Sequence, residues 1–202
     1  MTNLSKLNKD LQKLLDKNTA MIIADAENSL MVNIRTLKYL CNKRDMPGIY
    51  ITVNRPYQAI HRILLDNKVN LDKLFFIDCI TTAVGSEPRR EERCLFVSPT
   101  DLTDLAVSVD EWIETMPEKE KFLFMDSLST LLFYNSVGTI AKFSHFLTDR
   151  MKLWNLTGIF MSLESESDPH LLDDISQFCD GVITIKKRKK KNDKFRRVTE
   201  GS

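Results

Sequence analysis

The residue with the clearest chemical potential is Asp126, in the stretch 121–135, KFLFMDSLSTLLFYN. Four apolar residues, Phe122–Met125, precede its carboxylate, and Ser-Leu-Ser-Thr follows it. A short apolar run that ends in an acid is typical of a buried parallel strand, whose carboxyl end faces the crevice where open α/β sheets bind ligands. In a nucleotide hydrolase such an aspartate orients the magnesium ion on the phosphates. An active site of that kind also needs groups that hold the phosphates and activate water.

Nucleophilic catalysis is not indicated by the serines near this aspartate. Ser127 and Ser129 follow Asp126 directly, and His145 lies in the next predicted helix, but no GxSxG elbow is present. Turn-forming serines are therefore the favoured interpretation. We expect Asp126 itself to cap this turn by accepting N–H hydrogen bonds from residues 127–129.

Metal-ligating patterns are equally sparse. Glu164 and Glu166 follow a later predicted strand and could bind a cation together with Asp126, although a solvated acidic loop is the favoured interpretation. No CxxC pair occurs, so neither a zinc site nor redox chemistry is predicted. Buried thiols in a reducing cytosol are the simpler interpretation, and we expect a cytoplasmic location. The scattered residues are Cys41, Cys79, Cys94 and Cys179, and His61, His145 and His170.

Length and composition indicate one globular domain. The chain has 202 residues, of which 43% are hydrophobic and 28% are charged. No run of about 18 apolar residues exists, so no membrane span is predicted. The net charge of +1 hides an asymmetry, because residues 186–197, KKRKKKNDKFRR, hold nine basic residues and one acid. The other residues hold 20 basic and 27 acidic side chains, so a body of net charge −7 carries one strongly basic segment.

Alternating strand and helix patterns must position these residues. Strands are predicted at 19–24, 49–53, 74–77, 95–97, 122–125, 158–163 and 181–185, with a last strand at 195–199. Helices are predicted at 30–43, capped by Asn28 or Ser29, at 56–67, at about 101–115, capped by Thr100, and at 137–154 and 171–178. This alternation implies right-handed crossovers and a mainly parallel, three-layer α/β sheet. We predict a single domain, residues 1–202, with an amphipathic helix within 1–17 and a C-terminal hairpin at 181–199.

Three segments carry a family resemblance. They are FLFMDSLSTLLFYN at 122–135, CLFVSPTDLTDLAVSV at 94–109, and DPHLLDDISQFCDGVITIK at 168–186. In this order they resemble the Walker B strand, an archaeal SPsdLTdL segment, and the helix and strand before the closing hairpin of KaiC-like members of the RecA-type ATPases. The resemblance extends over nearly the whole chain from Thr19. It implies a RecA-like fold and, because family members assemble as rings or filaments, a homo-oligomer or protein partner.

The sequence departs from that family where phosphates would bind. Residues 24–33, ADAENSLMVN, replace its glycine-rich loop and contain neither Gly nor Lys, which wrap the phosphates and supply positive charge. Asp25 and Glu27 add negative charge, and each like-charge pair at about 4 Å costs roughly 4 kcal/mol at an effective dielectric near 20. A helix N-terminus returns only about 1 kcal/mol. Asn54-Arg55 stand where the family usually has an acidic pair, so the general base is also missing.

These departures predict a pseudo-ATPase, a regulatory or protein-interaction module with no catalytic residue, no cofactor and no metal. One alternative is a nucleotide sensor or ATPase with an altered phosphate site, which would bind ATP and Mg through Asp126, Asn28, Ser29 and Arg55. Another is a nucleic-acid accessory protein that uses the basic segment 186–197. An exposed sheet edge with protective lysines explains that segment at least as well. The residues that would contact DNA or RNA are Lys187, Arg188, Lys189 and Lys190.

Overall fold

The fold alternates strands and helices, and a computed structural model describes it over residues 4–14, 19–85, 91–164 and 169–185. The strands in these ranges are β1 (Thr19–Ala24), β2 (Gly48–Thr52), β3 (Leu74–Asp78), β4 (Cys94–Phe96), β5 (Lys121–Asp126), β6 (Leu156–Leu163) and β7 (Gly181–Ile185). The helices are α1 (Leu4–Leu14), α2 (Ala26–Leu37), α3 (Tyr57–Asp66), α4 (Leu102–Thr115), α5 (Leu128–Leu131), α6 (Val137–Leu153) and α7 (Pro169–Phe178). A π-helical turn, Lys38–Lys43, continues α2. The predicted strand 195–199 and the basic segment 186–197 lie outside the described residues.

The seven strands form one sheet in the order β4-β3-β2-β5-β6-β1-β7, and every strand pair in it is parallel. The predicted three-layer α/β fold is therefore confirmed. Because all strands run in one direction, their carboxyl ends meet at one edge of the sheet. The register places Thr52 of β2 opposite Asp126 of β5, and Asp78 of β3 opposite Thr52. Residues that follow these strands are thus neighbours at that edge, which we call the carboxyl edge.

Helices cover both faces of the sheet. Strand β2 is buried along its whole length, as expected for a central parallel strand between two helical layers. One layer, with α1, α2 and α3, contributes Leu7, Leu11, Val32, Leu37, Ile60 and Leu64. The other layer, with α4, α6 and α7, contributes Leu105, Val109, Ile113, Ile140, Leu147, Met151, Leu171 and Ile175. Every helix in the described part of the chain is too short or too polar to span a bilayer.

Helices α4 and α5 start differently from the sequence predictions. Helix α4 is capped by Asp101 rather than Thr100, because the Asp101 carboxylate accepts a hydrogen bond from the backbone N of Asp104 at 2.9 Å. Helix α5 was not predicted, and its four residues follow β5 directly. The side chain of Ser127 caps it by accepting a hydrogen bond from the backbone N of Thr130 at 3.4 Å. A serine or aspartate before a helix satisfies N–H groups that have no partner within the helix.

Candidate functional site

One residue, Asp25, joins β1 to α2 at the carboxyl edge. Its backbone is extended, with φ −71° and ψ 155°, and its Oδ1 accepts hydrogen bonds from the backbone N of Asn28 at 2.9 Å and from Asn28 Nδ2 at 2.6 Å. The prediction of Asn28 or Ser29 as the cap is wrong, because Asp25 satisfies the first helical donors and starts the helix four residues earlier than expected. The Ser29 hydroxyl lies inside the helix and donates to the carbonyl oxygen of Ala26 at 3.0 Å.

The N-terminus of α2 therefore carries an anion from its own chain. In phosphate-binding loops, the N–H groups and the positive end of the helix dipole at this position bind the phosphate. Here the Asp25 carboxylate bonds one of those N–H groups, and Glu27 adds a second acid to the first turn. A junction of one residue also provides no loop whose successive N–H groups could surround phosphate oxygens. The residues at this end of β1 do not fit a triphosphate.

The carboxylate of Asp126 is held by side chains from the neighbouring strand. Asp126 is 1% exposed, and its Oδ2 accepts a hydrogen bond from the Tyr50 hydroxyl at 2.6 Å. Its Oδ1 accepts a hydrogen bond from Asn54 Nδ2 at 2.8 Å. Asn33 of α2 supports the network by donating from Nδ2 to the Tyr50 hydroxyl oxygen at 3.3 Å. The prediction that Asp126 caps the following turn is wrong, since its oxygens face Tyr50 and Asn54 while Ser127 provides the cap.

Asn54 occupies the place that the family resemblance assigned to a catalytic acid. Its Nδ2 donates to Asp126, and its Oδ1 accepts a hydrogen bond from the Thr130 hydroxyl, so it links the ends of β2 and β5 to α5. A carboxylate here would face the Asp126 carboxylate at hydrogen-bond distance and repel it. The amide converts that repulsion into attraction. Both oxygens of Asp126 are therefore engaged in hydrogen bonds within the chain.

Arg55 places a positive charge close to this network. A compact turn holds its backbone, in which the Thr52 hydroxyl donates to the carbonyl oxygen of Arg55 at 2.6 Å. The Arg55 side chain is partly buried, and its charge opposes part of the rise that burial causes in the pKa of both Asp126 and Tyr50. The other predicted ligand-binding residues, Asn28 and Ser29, instead bond to Asp25 and Ala26.

Burial sets the protonation behaviour of the network. It raises the pKa of Asp126, against the opposing hydrogen bonds from Tyr50, Asn33 and Asn54 and the charge of Arg55. Burial also raises the pKa of Tyr50 well above its ordinary value, and the Asp126 charge adds to this effect. Tyr50 is consequently a neutral hydrogen-bond donor at physiological pH. The arrangement is a set of buried hydrogen bonds around Asp126, in which Asn33 Oδ1 is a buried acceptor without a hydrogen-bond donor among the described residues.

The serines after Asp126 hold the turn together, as the sequence predicts. Ser127 Oγ lies 3.0 Å from Ser129 Oγ and 2.9 Å from Thr130 Oγ1. Ser129 Oγ also accepts a hydrogen bond from the backbone N of Leu163 at 3.0 Å, which ties the turn to the end of β6. His145 is remote from them, on an exposed part of α6, where its ring lies 4.4 Å from the ring of Phe178.

The structure gives no support to the cation hypothesis at the end of β6. Glu164 is exposed there, and its backbone N donates to the carbonyl oxygen of Ala24 at 2.9 Å. Glu166 lies outside the described residues. Within the described ranges, no three His, Cys, Asp or Glu side chains are grouped so that they could hold a metal ion.

Sequence reasoning missed the partners of two buried carboxylates. Asp78, at the end of β3, accepts hydrogen bonds from the backbone N of Tyr57 and Ile80, at 2.7 Å each, and from Thr81 N at 2.9 Å. It thereby ties the start of α3 to the turn after β3. The second carboxylate is Asp126, whose partner Tyr50 was missed although the position of this tyrosine in the sequence is informative. A tyrosine in the middle of an otherwise aliphatic buried strand needs a partner for its hydroxyl.

A comparison with known families identifies the chain. A sequence profile for the family described as "ATPase: KaiC" matches residues 33–200. The chain belongs to this KaiC family. The matched range of this KaiC-family domain includes Tyr50, Asn54 and Asp126, and it begins after the junction at Asp25. No curated protein sequence matches the chain.

Two solved archaeal structures share the fold of this KaiC-family domain. The first is the KaiC-like protein PH0186 from Pyrococcus horikoshii OT3, with 12% identity, a TM-score of 0.59, and coverage of 83% of this chain and 70% of that chain. The second is the uncharacterized protein PH0321 from Pyrococcus horikoshii, solved in complex with an unknown peptide. It has 16% identity, a TM-score of 0.69, and coverage of 91% of this chain and 85% of that chain. Both likenesses concern the fold.

Proposed function

We propose that this KaiC-family domain is a pseudo-ATPase: it hydrolyses no nucleotide and acts as a regulatory or protein-interaction module. The observation that carries the proposal is the junction at Asp25, where one capping residue stands between β1 and α2 in place of a phosphate-binding loop. The Asp126 network supports it, since Tyr50 and Asn54 already bond both oxygens of that carboxylate. Asn54 and Arg55 also replace the acids that would activate water in the family.

We further propose that the domain acts through a protein partner, including other copies of itself. The fold is intact without the elements that bind phosphate, as expected if its surface rather than its chemistry is in use. The solved PH0321 structure contains an unknown peptide, which is a property of that protein. A peptide or protein ligand is the partner class that we extend from it to this chain.

Thermal unfolding with and without nucleotide tests this proposal. A ligand at about 100 times its dissociation constant stabilises a protein by about 2.7 kcal/mol, which raises the melting temperature of a domain of this size by about 5–10 °C. We expect shifts below about 1 °C with ATP, ADP or GTP in the presence of magnesium. A shift of several degrees at sub-millimolar ATP would count against the proposal.

A nucleotide sensor is the second candidate, because the family is one of ATPases and Arg55 brings positive charge to Asp126. In this case Asn28, Ser29, Arg55 and Asp126 would face ATP and Mg. Freeing Asn28 for a ligand would first require it to release Asp25, since its side chain and its backbone N both donate hydrogen bonds to the Asp25 carboxylate. The variant Asp126→Ala separates the two candidates: a nucleotide-dependent shift that this change abolishes supports the sensor.

A further inference from the structure

We propose that the outer face of α4 is a docking surface for the basic segment 186–197 of a second copy of this chain. The α4 face consists of Asp104, Val107, Glu111 and Glu114, all of them exposed. Their spacing of three, four and three residues places them in one stripe along the helix. The helix contains no lysine or arginine at all, so its negative charge is not balanced within it. This proposal is independent of whether the protein binds nucleotide.

The acids of the α4 face are unfavourably placed in the isolated chain. Glu111 and Glu114 lie three residues apart, and like charges at this spacing repel each other. Glu114 is in the last turn, where the helix dipole favours cations, yet that turn has no basic residue. Neither glutamate takes part in the ion pairs of the described residues. A cationic partner would relieve this unfavourable charge.

Exposed apolar side chains border the α4 face. Val107 is 50% exposed, and on the adjacent helix α6 Phe146 is 47% exposed. Arg150 connects the two helices, because it bonds to Asp110 of α4 and lies 5.9 Å from the Phe146 ring. Val107 is three residues before Asp110, and Phe146 is four residues before Arg150, so both lie within about one helical turn of this ion pair. Acids and apolar surface are therefore combined in one place.

The basic segment has the complementary composition. It holds nine basic residues and one acid, with Phe195 as its single aromatic residue. Its cations match the acids of the α4 face, and Phe195 matches the apolar surface beside Val107. An exposed ion pair contributes little alone, so a run of cations against several acids is the arrangement that could give measurable affinity.

The sheet order favours a second copy over the same chain. Strand β7, which ends at Ile185, is the outermost strand on one side of the sheet. Helix α4 instead packs on β3, where the ring centroid of Trp112 lies 4.4 Å from that of Phe75. Five strand spacings of about 4.8 Å separate β7 from β3, or about 24 Å. The six consecutive cations, residues 186–191, follow Ile185 by one to six positions, so a fully extended chain carries them at most about 22 Å from it. This is less than the separation of β7 and β3, so this run falls short of the α4 face of its own chain, whereas a neighbouring copy has no such limit.

Charge reversal tests the pairing. The face variant is Glu111→Lys with Glu114→Lys, and its matched control is Asp173→Lys with Asp174→Lys, which makes the same charge change on exposed positions of α7. The segment variant changes Lys187, Arg188, Lys189 and Lys190 to Glu. Self-association is measured by sedimentation velocity at low and high salt, after circular dichroism has shown that each variant is folded.

We expect the wild-type protein to self-associate at low salt and to dissociate as salt screens the charges. Because each exposed ion pair contributes up to about fivefold in an equilibrium constant, the face variant should weaken association about tenfold, and the α7 control less than twofold. Each reversed variant alone should associate more weakly than the wild type, and mixing the two should restore association. Only contact between different chains gives that rescue.

Three results would overturn the proposal. The first is a wild-type protein that stays monomeric at low salt and high protein concentration. The second is a face variant that associates as well as its α7 control. The third is a segment variant that loses retention on DNA or RNA while its self-association is unchanged, which would assign residues 186–197 to nucleic acid.

Discussion

The substitution Asn54→Asp examines the centre of the site most sharply. It places a second carboxylate where Asn54 Nδ2 now lies 2.8 Å from Asp126 Oδ1. Two unit charges at this distance repel by about 6 kcal/mol at an effective dielectric of about 20. The protein can avoid this repulsion by binding one proton between the two carboxyl groups, as paired acids do.

That proton limits the cost of the substitution. Binding it at pH 7 to an acid with an ordinary pKa near 3.9 requires about three pKa units, or about 4 kcal/mol at 1.36 kcal/mol per unit. The folded variant then holds a proton that the unfolded chain releases, so its stability must fall as the pH rises. We expect a loss of about 4 kcal/mol at pH 7, which decreases by about 1.4 kcal/mol for each pH unit toward pH 4. The charge of Arg55 reduces these values somewhat.

Urea unfolding of wild type and variant between pH 4.5 and pH 8 measures this dependence. The control is Gln58→Glu, which makes the same amide-to-acid change at an exposed residue and should change stability by less than about 0.5 kcal/mol. A loss for Asn54→Asp that matches the control, or one that does not vary with pH, would refute the reasoning. Asn54 would then not face Asp126 in the folded protein.

Three further predictions concern other parts of the structure. Tyr50→Phe removes a hydrogen-bond donor to the buried Asp126 carboxylate, so it should lower the free energy of unfolding in urea by about 1.5–3 kcal/mol. Because that hydrogen bond lowers the pKa of Asp126, its loss should raise this pKa and make the destabilisation larger at higher pH. Gly48→Ala would place a Cβ 2.3 Å from the ring of Phe122 and should lower the free energy of unfolding by about 1–3 kcal/mol. The control Gly138→Ala, with nothing within 4 Å of its Cβ, should be neutral or slightly stabilising. Equal effects of the two substitutions would contradict this packing. Burial raises the pKa of Cys41 and Cys179 to about 12, and it raises the pKa of Cys79 and Cys94 further. Ellman's reagent at pH 8 should therefore react slowly with the native protein and quickly with the protein in urea. Rapid reaction with the native protein would contradict this prediction, because it would show that the thiols are accessible.

The strands and the order of elements could be predicted because their signal is local. The apolar runs at 19–24, 49–53 and 122–125 each became a parallel strand within one or two residues of the expected bounds. A run of this length bounded by polar residues has few other stable structures. The short helix α5 was missed because four residues are too few to show a helical period.

The helix start at Asp25 was missed because three neighbouring capping signals compete. Asp25, Asn28 and Ser29 are all good capping residues, and the sequence alone does not rank them. Tertiary structure decides, because β1 pairs with β6 and β7 as far as Ala24, and the chain must turn at the next residue.

The environment of Asp126 could not be predicted, since it depends on contacts between distant residues. Tyr50 and Asn54 are more than 70 positions away in sequence and meet Asp126 only through the register of β2 and β5. The sequence does supply the substitution of Asn-Arg for an acidic pair. That observation identified the right position, and the structure adds what the asparagine does there.

Isothermal titration of the purified chain with ATP and magnesium, followed by a turnover assay on the same sample, tests the central claim most directly. If the capped junction at Asp25 has replaced the phosphate site, the titration should show no saturable heat up to about millimolar ATP, and no phosphate should be released. Saturable binding in the micromolar range together with phosphate release would contradict the account.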